Sequence, residues 1–178
     1  MKFKVLPEPV EDVERVAEIQ AAVPLVPDEA TSCCARLMKR ADVPAQDQAK
    51  EWLTFLRALR LVAEDGGQYR RLPHAADPAE LREAFRERVY LADDVLALLA
   101  AADGPLDGEA VFERVTDRLP QWEQRRHTDP EAVWSERVDR VLEWAVAFGL
   151  AARADGEGYV AVDGAEGAAS AGASDGSR

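Results

Sequence analysis

A helical run that ends in a tight hairpin, and does so twice, constrains this chain more than any other feature. In "VPAQDQAKEWLTFLRALRLVAEDGGQYRRL", Trp52, Phe55, Leu56 and Leu59 recur at i, i+3, i+4 and i+7, one face of an α-helix. The run stops at Arg60. Leu61-Val62-Ala63-Glu64 follows, then Asp65-Gly66-Gly67, then Tyr69-Arg70-Arg71-Leu72. Two short extended couplets joined by a glycine turn predict a β-hairpin. The segment "WSERVDRVLEWAVAFGLAARADGEGYVAV" repeats this layout. Setting Leu61 on Leu150 aligns Trp52 with Val141, Leu53 with Leu142, Phe55 with Trp144, Leu56 with Ala145 and Leu59 with Phe148. One additional residue in the second turn keeps Tyr69 opposite Tyr159. The expected fold is therefore mainly α with small β-hairpins, in two tandem units.

The remaining chain reads as helices with punctuation. Pro9 to Val23 places Val10, Val13, Val16, Ala17 and Ile19 or Gln20 on one face. Asp28 to Ala41 turns Cys33 or Cys34, Leu37 and Met38 inward, and a third helix runs from Pro44 to about Arg60. Residues 73–76 form a linker. Asp77-Pro78-Ala79-Glu80 combines an Asp cap, Pro at the first helical position and Glu at N3. It opens a helix through Leu81, Phe85 and Val89. A second apolar run carries Val95, Leu96, Leu98 and Leu99, and a third spans residues 108–119. A polar loop with Trp122, Arg125, Arg126 and His127 leads to Asp129-Pro130, the start of a long helix reaching Phe148. The final stretch, "DGAEGAASAGASDGSR", cannot bury enough apolar surface to offset its ordering entropy, so residues 163–178 are expected to be a disordered tail. The expected division is a first unit over 1–76 and a second over 77–162.

Three short helices followed by a two-stranded hairpin resemble the winged helix-turn-helix, here twice, on the two quoted segments. The whole chain also resembles haloarchaeal proteins of uncharacterised type. The first resemblance implies that the third helix packs one face on the other two and that the hairpin closes the open side. It also implies a ligand class. Most winged helices bind DNA, with the third helix in the major groove and the wing on the backbone, while a minority bind only proteins.

Charge bears on that choice. The formal net charge is −12, and lysine is confined to Lys2, Lys4, Lys39 and Lys50. Acids are spread over every helix. This is the pattern of proteins that work in molar salt, where carboxylates hold water and ions. At 1 M salt the Debye length is about 3 Å, so net acidity argues only weakly against DNA. The phosphate-driven attraction used by basic DNA binders weakens equally. No apolar run of 18 residues is present, so no membrane span is expected. The start, Met-Lys-Phe-Lys-Val, lacks the apolar stretch of a signal peptide. Cys33 and Cys34 are adjacent, a poor pair for a structural disulfide and too few for a zinc site. A reduced, cytoplasmic protein is expected, with at least one thiol in the core.

Basic residues predominate in one region. Lys50, Thr54 and Arg57 lie opposite the Trp52 face, Arg60 ends that helix, and Arg70 and Arg71 lie on the wing. Arg36, Lys39 and Arg40 cluster on the preceding helix. These residues are the expected DNA contacts, with Lys50 or Arg57 reaching base edges. The alternative is pairing with Asp47, Glu51 and neighbouring acids. The matching residues in the second unit are Asp139, Glu143 and Val146, a poor groove reader. Arg137, Arg140 and Arg153 sit nearby. A protein-interaction adaptor, with a partner on residues 77–162, is the alternative function. Trp122 and Trp134 read as core residues first and partner anchors second. His74 and His127 lie in connecting segments without an acid at a catalytic spacing. No catalytic residue, metal site or cofactor is expected, and the oligomeric state stays open.

Overall fold

The computed structural model describes residues 2–119, 121–125, 128–156 and 158–162. The expected tail, together with Arg126 and His127, lies outside the described residues. The first half runs α1 (Glu14–Ala22), β1 (Asp28–Glu29), α2 (Ala30–Arg40), α3 (Gln46–Ala58), β2 (Val62–Asp65) and β3 (Gln68–Arg71). The second runs α4 (Pro78–Arg88), α5 (Ala92–Ala101), α6 (Gly108–Val115), α7 (Gln121–Arg125), α8 (Pro130–Ala147), β4 (Ala151–Arg153) and β5 (Tyr159–Ala161).

The repeat holds to the level of single hydrogen bonds. Both third helices end in a Schellman motif, which gives the last carbonyls a donor through one left-handed residue. In α3 that residue is Arg60 at φ 65°, and after α8 it is Gly149 at φ 79°. The Leu61 amide reaches the Leu56 carbonyl at 2.9 Å, and the Leu150 amide reaches Ala145 at 2.8 Å. Each chain then enters its hairpin. Glu64 stands opposite Tyr69 in β2–β3, and Arg153 stands opposite Tyr159 in β4–β5. Each tyrosine also pairs outward, Tyr69 with Asp28 of β1 and Tyr159 with Leu106. Hence α1, β1, α2 and α3 correspond to α5, Leu106, α6 and α8. Helix α4 lies between the two sets.

A single core spans both halves. Leu53 and Leu56 fill the first unit, and Val138 and Leu142 the second. Between them the third helices meet through their aromatic residues. Phe55 and Trp144 are 4.5 Å apart between ring centroids, Trp52 and Trp144 5.6 Å, and Phe85 of α4 lies 5.2 Å from Phe148. One turn away, Arg140 pairs with Glu51 at 3.7 Å. Phe55 and Trp144, like Glu51 and Arg140, are matching positions of the repeat.

An N-terminal arm closes this seam. Phe3 bridges to Val89, its amide donating to the Arg88 carbonyl at 2.7 Å and its carbonyl accepting from Tyr90 at 2.8 Å. Farther along, Arg140 donates to the Leu6 carbonyl at 2.5 Å and the Trp144 indole to Pro7 at 2.9 Å. The arm thus satisfies polar groups of α8 that the aromatic seam would otherwise strand. Gln20, 5% exposed, bridges α1 to the Leu61 and His74 carbonyls at 3.3 and 3.2 Å.

Several expectations are corrected. Helix α1 starts at Glu14 rather than Pro9, because the Asp12 carboxylate accepts the Glu14 amide at 2.9 Å and opens the helix there. Asp28 and Glu29 form a strand on the wing instead of a helix start; two residues are too few to show a period. Met38 faces out at 37% exposure, since Leu37 takes the core side and the next residue is turned about 100° away. Asp77 occupies the N-cap position of α4 without a side-chain bond, whereas Asp129 and Asp107 do cap, accepting from Ala132 and Ala110. The polar loop contains α7, and Trp122 on it is 59% exposed rather than core. Trp134 is core at 1% exposure, and both cysteines are buried.

Candidate nucleic-acid interface

Helix α3 buries a wide arc because it packs on two partners. Ala49, Leu53 and Leu56 turn to its own unit, and Trp52 and Phe55 to the seam with α8. What stays outward is a narrow stripe of Asp47, Lys50, Thr54 and Arg57, with Lys50 exposed and Thr54 and Arg57 half-buried. Lys39 and Arg40 are exposed at the end of α2.

The wing meets this stripe through Glu64. One carboxylate oxygen pairs with Arg57 at 3.5 Å, and the other accepts the Gly67 amide at 2.9 Å. One acid therefore ties the turn and the helix together. Phe3 of the arm lies 5.5 Å below the Arg57 guanidinium and 5.3 Å from that of Arg88. Arg88 donates to the Arg57 carbonyl at 3.0 Å. Burial, and then the neighbouring Arg60 and Arg57 charges, pull the Arg88 pKa down. Burial pushes the Tyr69 hydroxyl up, although the Arg57 charge opposes it.

The sequence-derived set does not form one patch. Lys50, Thr54 and Arg57 are together on α3. Arg60 turns to α4, pairing with Glu83 at 3.4 Å and Glu87 at 2.6 Å. Arg70 is opposite Ala63, one step from the Glu64–Tyr69 pair, so it points from the other face of the hairpin. It is exposed. Arg71 is half-buried at the base of β3, beside α1. The acid partners lie far away in sequence instead of one turn away on the same helix. Sequence reasoning missed Glu64, Phe3 and Arg88. The one available signal was the opposite charge of Glu64 and Arg153 at matching positions.

The corresponding face of α8 is closed. Glu143 accepts from both Arg153 and the Tyr159 hydroxyl. The Asp139 carboxylate lies over Gly108, in the space a Cβ there would take. Asp139 is exposed as a residue, yet its carboxyl group is pushed above the ordinary range, first by burial against α6 and then by Glu136. Burial likewise raises Glu51, opposed by Arg140. Burial also raises both thiols, with Asp28 adding to the effect at Cys33 and Lys50 opposing it at Cys34. Among the described residues no group of three His, Cys, Asp or Glu side chains stands where it could hold a metal ion. No described helix is long and apolar enough to cross a membrane.

Two copies of a three-helix unit with a β-hairpin wing, joined in one chain, define a tandem winged-helix protein. The model of the halobacterial double winged helix domain matches residues 1–165, and the chain belongs to that family. No curated protein and no solved structure matches it. The winged helix is a fold of DNA-binding and regulatory proteins.

Proposed function

We propose that the first unit binds double-stranded DNA, without enzymatic chemistry, and that the second unit supports it. The observation that carries this reading is the contrast between the two third helices. The α3 stripe presents Lys50, Thr54 and Arg57 beside a wing, whereas the α8 stripe presents Asp139 and a Glu143 already engaged. In this reading Lys50 and Thr54 face base edges, Arg57 leaves Glu64 for DNA, Lys39 and Arg40 hold phosphates, and Arg70 reaches a phosphate separately, from the opposite face of the wing. Arg60 and Arg71 are left out of the contact surface, since one is paired with α4 and the other faces α1. We take residues 76 and 77 as the boundary, with α4 belonging to the second unit.

The test is selection of DNA fragments from a genomic pool in molar KCl, where non-specific phosphate binding is suppressed. The wild-type chain should enrich defined sequences and Arg57→Glu should not. Equal, unselective recovery by both would sink the proposal.

The second reading is a protein-interaction adaptor working in the cytoplasm. It draws on the acid partners of Arg57 and Arg60 and on the acidic α8 stripe. A protein that co-purifies with the wild type and is lost on Asp139→Arg would favour it.

A further inference from the structure

Two arginines far apart in sequence are brought onto one aromatic ring. Arg57 stands in the last turn of α3 and Arg88 in the last turn of α4. Their guanidiniums lie 5.5 and 5.3 Å from the centroid of Phe3, a buried ring. Phe3 is fixed there by its own backbone, bonded to the Arg88 carbonyl and the Tyr90 amide. Arg88 also donates to the Arg57 carbonyl at 3.0 Å, which holds the last turn of α4 against the last turn of α3.

Like charges placed this close repel unless an anion lies between them. Glu64 serves Arg57 alone, at 3.5 Å. Arg88 pairs with no acid among the described residues, because Glu83 and its own neighbour Glu87 are both held by Arg60. A ring face attracts a guanidinium by its charge and leaves the N–H donors to other partners. Arg57 and Arg88 are both half-buried, so solvent and a ligand can reach them. The lowered Arg88 pKa, set first by burial and then by Arg60 and Arg57, agrees with a pair short of negative charge.

The geometry points to a phosphate site: Arg57 and Arg88 form a two-pronged cradle over Phe3 for one phosphate of the DNA backbone. The inference rests on DNA binding by the first unit and adds a residue of α4 to that surface. Arg57 exchanges Glu64 for the phosphate, which also supplies the counter-charge that Arg88 lacks. Guanidinium forks match phosphate oxygens in pairs of hydrogen bonds. A phosphate held at the end of α3 fixes the helix in register and leaves the choice of sequence to Lys50 and Thr54.

A double-mutant cycle between protein and DNA tests the cradle. Methylphosphonate linkages, each removing one phosphate charge, are placed in turn along the DNA fragment selected by the wild type, and binding is measured in molar KCl. One linkage should weaken the wild type about tenfold and leave Arg88→Gln, itself about tenfold weaker, unchanged. Arg88→Lys, which keeps the charge and the attraction to Phe3, should single out the same linkage with a smaller loss. A purely structural role for Arg88 would lower affinity by the same factor at every linkage and overturn the proposal. Coupling at no linkage in either variant, while the wild type still selects DNA, overturns the cradle and leaves the DNA reading standing. A wild type that selects no DNA overturns both. Inorganic phosphate that protects the wild type but not Arg88→Gln from thermal unfolding, with no coupling on DNA, would assign the pair to a free ion and overturn the DNA source.

Discussion

Glu64 and Arg153 occupy the same place in the two hairpins and carry opposite charges, and each ties its wing to its own third helix. Glu64 holds Arg57, whereas Arg153 holds Glu143 one turn earlier on the matching helix. If α3 reads DNA, the Glu64 contact competes with it. Glu64→Gln should therefore tighten DNA binding, and Arg57→Glu should abolish it while lowering the melting temperature, because it sets a second carboxylate beside Glu64 and gives up the contact with Phe3. The Gln amide oxygen can still accept the Gly67 amide, so the stability of Glu64→Gln should change by no more than about 0.5 kcal/mol. Glu143→Gln should leave DNA binding alone. Anisotropy titrations on a selected fragment check all three, and weaker binding by Glu64→Gln would count against the competition.

The aromatic seam makes the halves one folding unit. Phe55 and Trp144 are each 0% exposed, and each lies against the other half. Truncating either to Ala should cost about 3–5 kcal/mol. Denaturant unfolding should remain a single transition, and residues 1–76 expressed alone should not give a stable monomer. A fragment that melts cooperatively at the temperature of the full chain would contradict this.

Arg60 and Gly149 test backbone strain at one position in two settings. Both adopt the left-handed conformation, and nothing crowds a Cβ at Gly149. Gly149→Ala should therefore cost about 1 kcal/mol, a purely conformational loss. Arg60→Gly gives up two exposed ion pairs but relieves the strain, so its stability should stay within about 0.5 kcal/mol. A larger loss from Arg60→Gly than from Gly149→Ala would show that the α4 pairs dominate.

Asp139 gives the chain a pH signature. Its folded-state pKa is raised, so the native state binds its proton at higher pH than the unfolded chain does. Stability from this group therefore rises as pH falls from above the folded pKa toward the unfolded value of about 3.9. Asp139→Asn should raise the melting temperature at neutral pH and shrink that gain on acidification. Unchanged curves from pH 7 to 4 would show that the carboxylate over Gly108 is fully solvated.

Salt supplies a further test. Acids outnumber Lys and Arg by 34 to 22, and they are spread over the helices. Between about 0.15 M and 1 M KCl the Debye length falls from about 8 to 3 Å, which screens their mutual repulsion. The melting temperature should climb over that range. A flat or falling curve would remove the claim that the chain is adapted to molar salt.

The elements most legible in the sequence were those with a repeated period. The faces of α3 and α8, their shared stop and the two hairpins follow from apolar spacing and glycine placement. Strand β1 was not legible, because Asp28 and Glu29 owe their conformation to Tyr69 and Gln68 across the wing. Nor was the fate of the basic residues. Arg57 and Arg60 choose partners 7, 23 or more positions away, and Arg140 reaches Glu51 across the seam besides its local partner Glu136, choices set mainly by how helices pack. Trp52 and Phe55 were legible as buried, but not as shared between two units.

The pairing of Glu51 with Arg140 carries a consequence for descent. Two separate, identical chains meeting through this surface would set Glu51 against another Glu51, and Phe55 against another Phe55. Covalent fusion releases the two sides from having to be the same. One copy can then become an acid and the other a base, one ring a phenyl and the other an indole. The same freedom lets one third helix keep a Lys–Thr–Arg stripe while its twin trades that stripe for carboxylates. A single chain thereby holds two different third-helix surfaces, which a symmetric pair of identical chains would have to forgo.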